Sequence, residues 1–261
     1  MKSSLRLYFF ALLIFISTQK ANALDSFDHT HGSWTQILQE FGTENKNNKN
    51  IIAKINYSKL KKSSKLKNYL NTLADVISSQ FSQFNKEQQL AFLINAYNSQ
   101  ALNIIAQNDT KKSLHEMGSA FEDFFHKKSF RLFREDKSLD DLNQELRSKG
   151  KDPRIFFALS CGAVSCPPLM SRAYTANNLN EQLDHQTKSF LQDKSQNEMF
   201  YTKRKYRLSK IFKTYQKDFE INGDSVQKFV GRYITEDPNI KKYLSDGNFT
   251  LEYMDFNERI H

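Results

Sequence analysis

The segment that most constrains this chain is the stretch after Asn85, in which apolar side chains fall on almost every side of a helix. The sequence Asn85-Lys86-Glu87-Gln88 is typical of a capping box that opens a helix. The apolar residues that follow are Leu90, Phe92, Leu93, Ala96, Tyr97, Ala101, Leu102, Ile104 and Ile105. A helix that is apolar around most of its circumference belongs in a protein interior. The sequence therefore predicts a buried central helix over residues 86–107, against which the rest of the chain packs.

Further helices are predicted from apolar side chains spaced three or four residues apart and from polar residues that cap a helix start. One helix face is formed by Leu66, Tyr69, Leu70, Leu73 and Val76. Short helices are predicted to begin after Ser138 and after Asn178. Two more are predicted over residues 209–219 and 224–234.

Strands are predicted at fewer places. The continuous apolar run at residues 155–159 favours a buried strand, because it is short and rich in β-branched and aromatic side chains. Strand-like segments also occur at residues 199–202, 206–208 and 249–256, and hairpin pieces are expected within residues 113–137. Helices dominate this pattern, so we predict a helix-rich α+β fold with a small sheet.

The pattern shows no internal repeat and no domain break after residue 50, so residues 51–261 are predicted to form a single globular domain. Residues 24–50 are polar and are predicted to be a flexible polar lead-in, with a short helix over residues 34–41. The chain is 39% hydrophobic and 26% charged. This composition excludes a collagen, a disulfide-dense miniprotein, a multi-span membrane protein and a fully disordered chain.

The first residues have the pattern of a secretory signal. Lys2 and Arg6 precede an apolar run over residues 7–16, which is too short to cross a bilayer as a helix. The small residues of Ala21-Asn22-Ala23 follow at the positions that a signal peptidase reads. We therefore predict a signal peptide over residues 1–23 and a periplasmic or secreted mature protein. The alternative is an uncleaved N-terminal anchor.

Charge gives a weaker indication of partners. The chain has 38 Lys and Arg against 29 Asp and Glu, a formal net charge of +9. Cleavage after Ala23 removes three of the positive charges and no negative one, which leaves +6. The Lys-rich stretches over residues 46–67 and 203–217 are predicted to be solvated helix faces, with weak contact to acidic envelope surfaces as the alternative. Export argues against a nucleic acid partner, and no cofactor is predicted.

The two cysteines, Cys161 and Cys166, lie five positions apart in the one loop that is dense in Gly and Pro. Outside the cytoplasm such a pair can oxidise to a disulfide. The alternatives are that one of them is a thiolate nucleophile activated by a histidine, or that both are inert thiols. Their spacing matches no standard zinc site, so no metal site is predicted.

Other candidates are polar side chains with an ordinary structural explanation. Asn95 and Asn98 share one side of the predicted central helix, where buried amides are either ties to the backbone or members of a polar site. His126 and His185 are the histidines that could approach the cysteines, although a surface histidine is the more ordinary account of each. The sequence contains no phosphate-binding loop, dinucleotide fingerprint, nucleophile elbow or zinc-protease helix.

Several separated motifs carry a resemblance to a known family. They are Gln88-Gln89-Leu90-Ala91-Phe92-Leu93-Ile94-Asn95-Ala96-Tyr97-Asn98, Asp152-Pro153-Arg154-Ile155-Phe156-Phe157-Ala158-Leu159-Ser160-Cys161 and Ser165-Cys166-Pro167-Pro168-Leu169. In this order they resemble the domain of unknown function 547 family, with further similarity up to Tyr253-Met254-Asp255-Phe256-Asn257. The resemblance covers residues 55–257 and implies a secreted or envelope protein without an assigned activity. Arg154 and Ser165 lie in these motifs and, with Asn95 and Asn98, are the candidate binding residues.

The sequence departs at several positions from the pattern that the resemblance implies. Phe156 stands where the family has His, Asn143 and Gln144 stand where it has a Glu-His pair, and Thr214 replaces a Trp. If the family site is a Cys assisted by His and Glu, this chain keeps the thiols and lacks both bases. Amides and a phenyl ring cannot accept and return a proton near pH 7.

Two functions therefore remain open. The first is a non-catalytic binding or envelope-associated domain, in which Cys161 and Cys166 are oxidised or packed. The second is a thiol-dependent hydrolase or acyltransferase with one of these cysteines as nucleophile, in which Asn95 and Asn98 would orient groups or stabilise an oxyanion. The missing bases favour the first function.

Overall fold

A computed structural model describes residues 27–117, 121–221 and 224–260. The α-helices are α1 Gly32–Phe41, α2 Tyr57–Lys62, α3 Ser64–Asp75, α4 Ser78–Phe81, α5 Lys86–Gln107, α6 Phe121–His126, α7 Leu139–Gly150, α8 Leu179–Leu191, α9 Ile211–Thr214, α10 Gln216–Phe219, α11 Val226–Tyr233 and α12 Pro238–Leu244. The strands are β1 Gly42–Asn45, β2 Asn48–Ile55, β3 Phe130–Leu132, β4 Glu135–Lys137, β5 Glu198–Phe200, β6 Lys205–Leu208 and β7 Thr250–Tyr253. The helix-rich α+β prediction is confirmed. The predicted signal peptide lies outside the described residues, and none of the described helices has the length and apolar character to cross a membrane.

The central helix α5 is confirmed over the predicted residues. The Gln88 backbone N–H donates to the Asn85 side chain and the Asn85 N–H donates to the Gln88 side chain, both at 2.8 Å. Every residue from Leu90 to Leu102 is buried. Helices α2, α3 and α7 pack around α5, so the broadly apolar surface read from the sequence is covered on several sides.

Residues 27–50 differ from the flexible lead-in that the sequence predicted. The short helix is confirmed as α1, and its buried side chains belong to the main hydrophobic core around α5. Trp34 of α1 stacks on Tyr69 of α3 with ring centroids 5.5 Å apart. Strands β1 and β2 then form an antiparallel hairpin, and the Ile52 N–H donates to the Leu169 carbonyl at 2.8 Å. A few apolar side chains at helical spacing thus attach this polar segment to the folded core.

The buried strand predicted for residues 155–159 was wrong, because Pro153–Ala158 forms a 3-10 helix. The Arg154 N–H donates to the Asp152 carboxylate at 3.0 Å, which caps the helix start. Ile155 belongs to the main core, whereas Phe156 and Phe157 belong to a second hydrophobic cluster. A short apolar run that is buried on all sides has no periodicity by which strand and helix can be distinguished.

The second cluster is formed mainly by the C-terminal part of the chain. Strand β6 pairs antiparallel with β5 and parallel with β7, which confirms the predicted small sheet with a shorter last strand. The helix predicted over residues 209–219 is divided into α9 and α10 at Tyr215. Helix α12 was not predicted. The predicted hairpin pieces correspond to the β3–β4 pair.

Candidate functional site

Cys161 and Cys166 form a disulfide that closes a short loop after the 3-10 helix. Their Cα atoms are 5.7 Å apart, and both residues are buried. Gly162 has φ +74° and packs so closely against Ile105 of α5 that a Cβ atom would collide with it. A glycine is therefore required at this turn. Of the alternatives that the sequence left open for the cysteines, the structure contains the oxidised pair.

The disulfide loop also holds the segment that follows β7, residues 254–260, which we call the tail. The Val164 N–H donates to the Arg259 carbonyl at 2.8 Å, and the Asn257 N–H donates to the Ser165 hydroxyl at 2.8 Å. On its other side the tail pairs with residues 112–114, where the Leu114 N–H donates to the Glu258 carbonyl at 3.0 Å. These bonds hold the tail beside the cysteines.

A pocket of about 540 Å³ opens next to the disulfide, and we call it the disulfide pocket. Its walls come from α5, α6, α7, the 3-10 helix, α9 and the tail. The lining residues are Tyr97, Phe125, His126, Leu139, Asp140, Asn143, Arg147, Phe156, Leu159, Cys161, Cys166, Pro167, Lys210, Ile211, Thr214, Tyr215, Phe256 and Glu258. Apolar walls with a few convergent polar groups are typical of a small-molecule site.

Phe156 and Asn143 meet at Tyr215 in this pocket. The Phe156 ring stacks on the Tyr215 ring with centroids 4.0 Å apart and planes 10° apart. Asn143 Nδ2 donates to the Tyr215 hydroxyl at 2.6 Å. Asn143 Oδ1 is buried and has no hydrogen-bond partner among the described residues. Exchanging the oxygen and nitrogen of this amide would leave its other atom unpartnered instead, so the pocket contains one unsatisfied polar atom.

Several titratable groups of the pocket are buried or are paired with a charged neighbour. Burial raises the pKa of Tyr97 and that of Tyr215 above the ordinary tyrosine value, so both phenols keep their protons at neutral pH. The Arg147 guanidinium donates to both carboxylate oxygens of Asp218, at 3.0 and 2.8 Å. His126 Nδ1 lies 3.5 Å from the Asp140 carboxylate in an exposed pair. Gln144 also donates to Asp140 at 2.6 Å.

One segment of the chain matches a known family model, and it contains the central helix, Phe156 and the disulfide. Residues 81–191 match the family model described as protein of unknown function, DUF547. The resemblance read from the sequence is thereby confirmed over these residues. The DUF547 match includes Asn143, Phe156 and both cysteines, and it ends before Thr214. No curated protein and no solved structure matches the chain.

Asn95 and Asn98 lie outside the disulfide pocket and act as ties between α5 and two loops. Asn98 Nδ2 donates to the Ala158 carbonyl at 2.9 Å and its Oδ1 accepts from the Ser160 N–H at 2.8 Å. Asn95 makes the same pair of bonds to the backbone of Tyr174, at 2.8 and 3.0 Å. Both amides thus satisfy the backbone of loops that have no strand partner at these points.

The remaining predicted site residues are also engaged elsewhere. Arg154 donates to both oxygens of Asp152, and this hydrogen-bonded pair raises the pKa of its guanidinium. Ser165 holds the tail, as described above. His185 lies near Asn48 and Ser189, with both contacts at 3.4 Å, and does not line the disulfide pocket. His126 lines that pocket together with both cysteines.

Sequence reasoning missed Tyr97, Lys210, Tyr215, Phe256 and Glu258 as pocket residues. Tyr97 lies within the motif of the central helix, and Tyr215 and Phe256 lie within later segments of the resemblance, so the motifs contained the signal. For metals, the described residues contain no group of three or more His, Cys, Asp or Glu side chains placed to hold an ion. With its sulfurs oxidised, the pocket offers hydrogen bonds, aromatic faces and charge rather than a free nucleophile.

Proposed function

We propose that this chain is an exported, non-catalytic binding domain whose ligand occupies the disulfide pocket. The observation that carries the proposal is that both sulfur atoms of the pocket are joined in a disulfide. Phe156 and Asn143, at positions where the resemblance implies ionisable side chains, pack against and hydrogen-bond to Tyr215 instead. The pocket therefore combines a binding surface with oxidised sulfurs, and neither Phe156 nor Asn143 can act as a base beside them.

The lining indicates the chemistry of such a ligand. Phe125, Phe156 and Phe256 supply aromatic surface, and Arg147 and Lys210 supply positive charge. The unpartnered atom of Asn143 favours a ligand with a polar group that can reach it, because a buried amide atom without a partner costs stability. Because Asp140 and Glu258 also line the pocket and Arg147 is paired with Asp218, an aromatic ligand with a hydrogen-bonding group fits these features whether or not it is charged.

The aromatic sulfonate ANS is a suitable probe of the pocket. Thr214 lines the pocket, whereas its exposed neighbour Lys213 does not. Thr214→Trp places an indole in the pocket and should weaken ANS binding about tenfold, equivalent to about 1.4 kcal/mol. Lys213→Trp adds the same side chain outside the pocket and should leave the affinity unchanged. Equal fluorescence titrations for both variants would contradict the proposal.

Export is the second part of the proposal. The apolar run over residues 7–16 and the small residues before Leu24 support cleavage after Ala23. We expect the protein recovered from a periplasmic fraction to begin at Leu24, as read by N-terminal sequencing. A chain that retains residue 1, or one found only in the cytoplasm, would contradict this part.

A thiol-dependent hydrolase or acyltransferase is the second candidate, because His126 lines the same pocket as Cys161 and Cys166. Reduction of the disulfide would release two thiols there. Under our proposal, iodoacetamide labels the cysteines only after reduction, and the rate falls about tenfold per pH unit below an ordinary thiol pKa of about 8.5. Fast labelling at pH 6 that Cys161→Ser or Cys166→Ser abolishes, together with ester hydrolysis lost in the same variant, would favour the enzyme instead.

A further inference from the structure

A second pocket, of about 400 Å³, lies on another side of the central helix, between α2, α3, α5 and β3. We call it the lysine pocket, and its defining residues are Lys61, Lys67, Gln100, Phe130 and Arg131. None of them lines the disulfide pocket. The lysine pocket therefore needs a separate explanation.

Its charge has one sign. Three cations line it, and the described residues of the lining include no Asp or Glu. The disulfide pocket, in contrast, contains Asp140 and Glu258. Lys61 is held by Asp109 at 3.0 Å and Arg131 Nε lies 3.9 Å from Asp136, both partners being outside the lining. Lys67 forms no ion pair with a described residue. A concave site lined by one sign of charge attracts ligands of the opposite sign.

Gln100 gives the pocket a second requirement. Its side chain is buried in the lining of the pocket, and its Oε1 has no hydrogen-bond partner among the described residues. This oxygen can only accept, so a donor is needed to satisfy it. Leaving a buried carbonyl unsatisfied costs stability, and a ligand with a donor would remove that cost.

We propose that the lysine pocket binds an anionic sugar unit, carboxylated or phosphorylated. Its acidic group would pair with Lys67 and Arg131, a hydroxyl would donate to Gln100 Oε1, and the sugar ring would lie against Phe130. Chloride and sulfate lack the donor at neutral pH, and a neutral sugar lacks the charge. The proposal concerns a separate pocket and does not depend on what occupies the disulfide pocket.

The test is affinity electrophoresis of the mature chain through gels that contain polygalacturonate, a phosphorylated mannan or neutral galactan. Retardation by at least one anionic polymer and none by galactan is expected, and the two anionic gels identify the acidic group. Lys67→Gln should weaken binding about fivefold. Gln100→Met removes the acceptor and should weaken it by a similar factor, roughly fivefold.

Two measurements distinguish specific binding in the lysine pocket from general attraction of the polymer to a basic surface. Lys62 is exposed, follows Lys61 in the chain and does not line the pocket, so Lys62→Gln should leave the retardation unchanged. The melting temperature of Gln100→Met should stay equal or rise, because an unsatisfied buried oxygen is removed. The proposal would be overturned if Lys62→Gln and Lys67→Gln reduced the retardation equally, or if neither anionic polymer retarded the protein. These outcomes do not depend on the result of the ANS titration of the disulfide pocket.

Discussion

His31 makes the stability of this protein depend on pH in a way that can be calculated. The residue precedes α1 with a left-handed backbone, φ 49°, and its side chain is only 1% exposed. Its Nδ1 lies 2.7 Å from the Tyr69 hydroxyl, while Nε2 is buried without a partner among the described residues. Burial lowers the pKa of this imidazole to about 3, although nearby Asp28 acts in the opposite direction. His31 is therefore neutral in the folded protein.

The sign and size of the effect follow from proton binding. Between pH 6.5 and about 3 the unfolded chain protonates His31 and the folded protein does not, so stability falls as the pH falls. Each pH unit within this window costs about 1.4 kcal/mol of unfolding free energy. From pH 6.5 to pH 4.5 the loss amounts to roughly 2.3 kcal/mol, because the unfolded histidine is already half protonated at pH 6.5, and this is a large share of a typical domain stability.

Urea unfolding at several pH values measures this loss, with the fluorescence of Trp34, the single tryptophan, as the signal. His31→Asn keeps a group that can bond to Tyr69 and tolerates the left-handed backbone, but it does not titrate. The stability advantage of the native chain over this variant should shrink by about 1.4 kcal/mol per pH unit below pH 6. His115 is exposed, so the difference in unfolding free energy between His115→Asn and the native chain should not change with pH. A difference between the native chain and His31→Asn that is constant with pH would refute the reasoning.

Two further predictions concern the disulfide and the second hydrophobic cluster. Reduction of Cys161–Cys166, which are five positions apart, should lower the unfolding free energy by about 2 kcal/mol on a loop-entropy argument. In a Cys161→Ser, Cys166→Ser double variant, urea unfolding should no longer respond to reductant. Phe157 is fully buried against Phe190 and Phe212, so Phe157→Ala should cost about 3–5 kcal/mol. Tyr201→Ala, at a side chain that is 43% exposed, is the control and should cost much less in the same urea titrations.

The parts of the fold that the sequence predicted are those fixed by local rules. The Asn85–Gln88 capping box and the apolar stretch behind it specify α5 without any knowledge of its partners. The capping box at Ser138, completed by Asp141, specifies the start of α7 in the same way. The 3-10 helix at Pro153–Ala158 escaped prediction, because its secondary structure is decided by two separate cores and by the Asn98 amide. These contacts join residues that are distant in the chain.

The candidate site was predictable only in part for the same reason. The sequence identified the cysteines as a pair, because a spacing of five in a Gly- and Pro-rich loop is a local property. It could not show that Tyr97, Asn143, Phe156 and Tyr215 surround one cavity, since four separate elements bring them together. Asn95 and Asn98 illustrate the converse case. They were read as possible binding groups, and only the packing of two loops on α5 reveals what their amides satisfy.

The geometry at Tyr215 also links Phe156 and Asn143. Phe156 and Asn143 lie on different elements, yet each contacts Tyr215, one through its ring face and the other through its hydroxyl. A histidine at residue 156 would exchange an apolar ring for a polar one in a buried stack, and its nitrogens would then need partners. A glutamate at residue 143 would accept from the Tyr215 hydroxyl as a buried carboxylate, which is costly because Arg147, the cation over the Tyr215 ring, is already paired with Asp218. These two positions are therefore coupled by one side chain, so a substitution at either should change the cost of a substitution at the other.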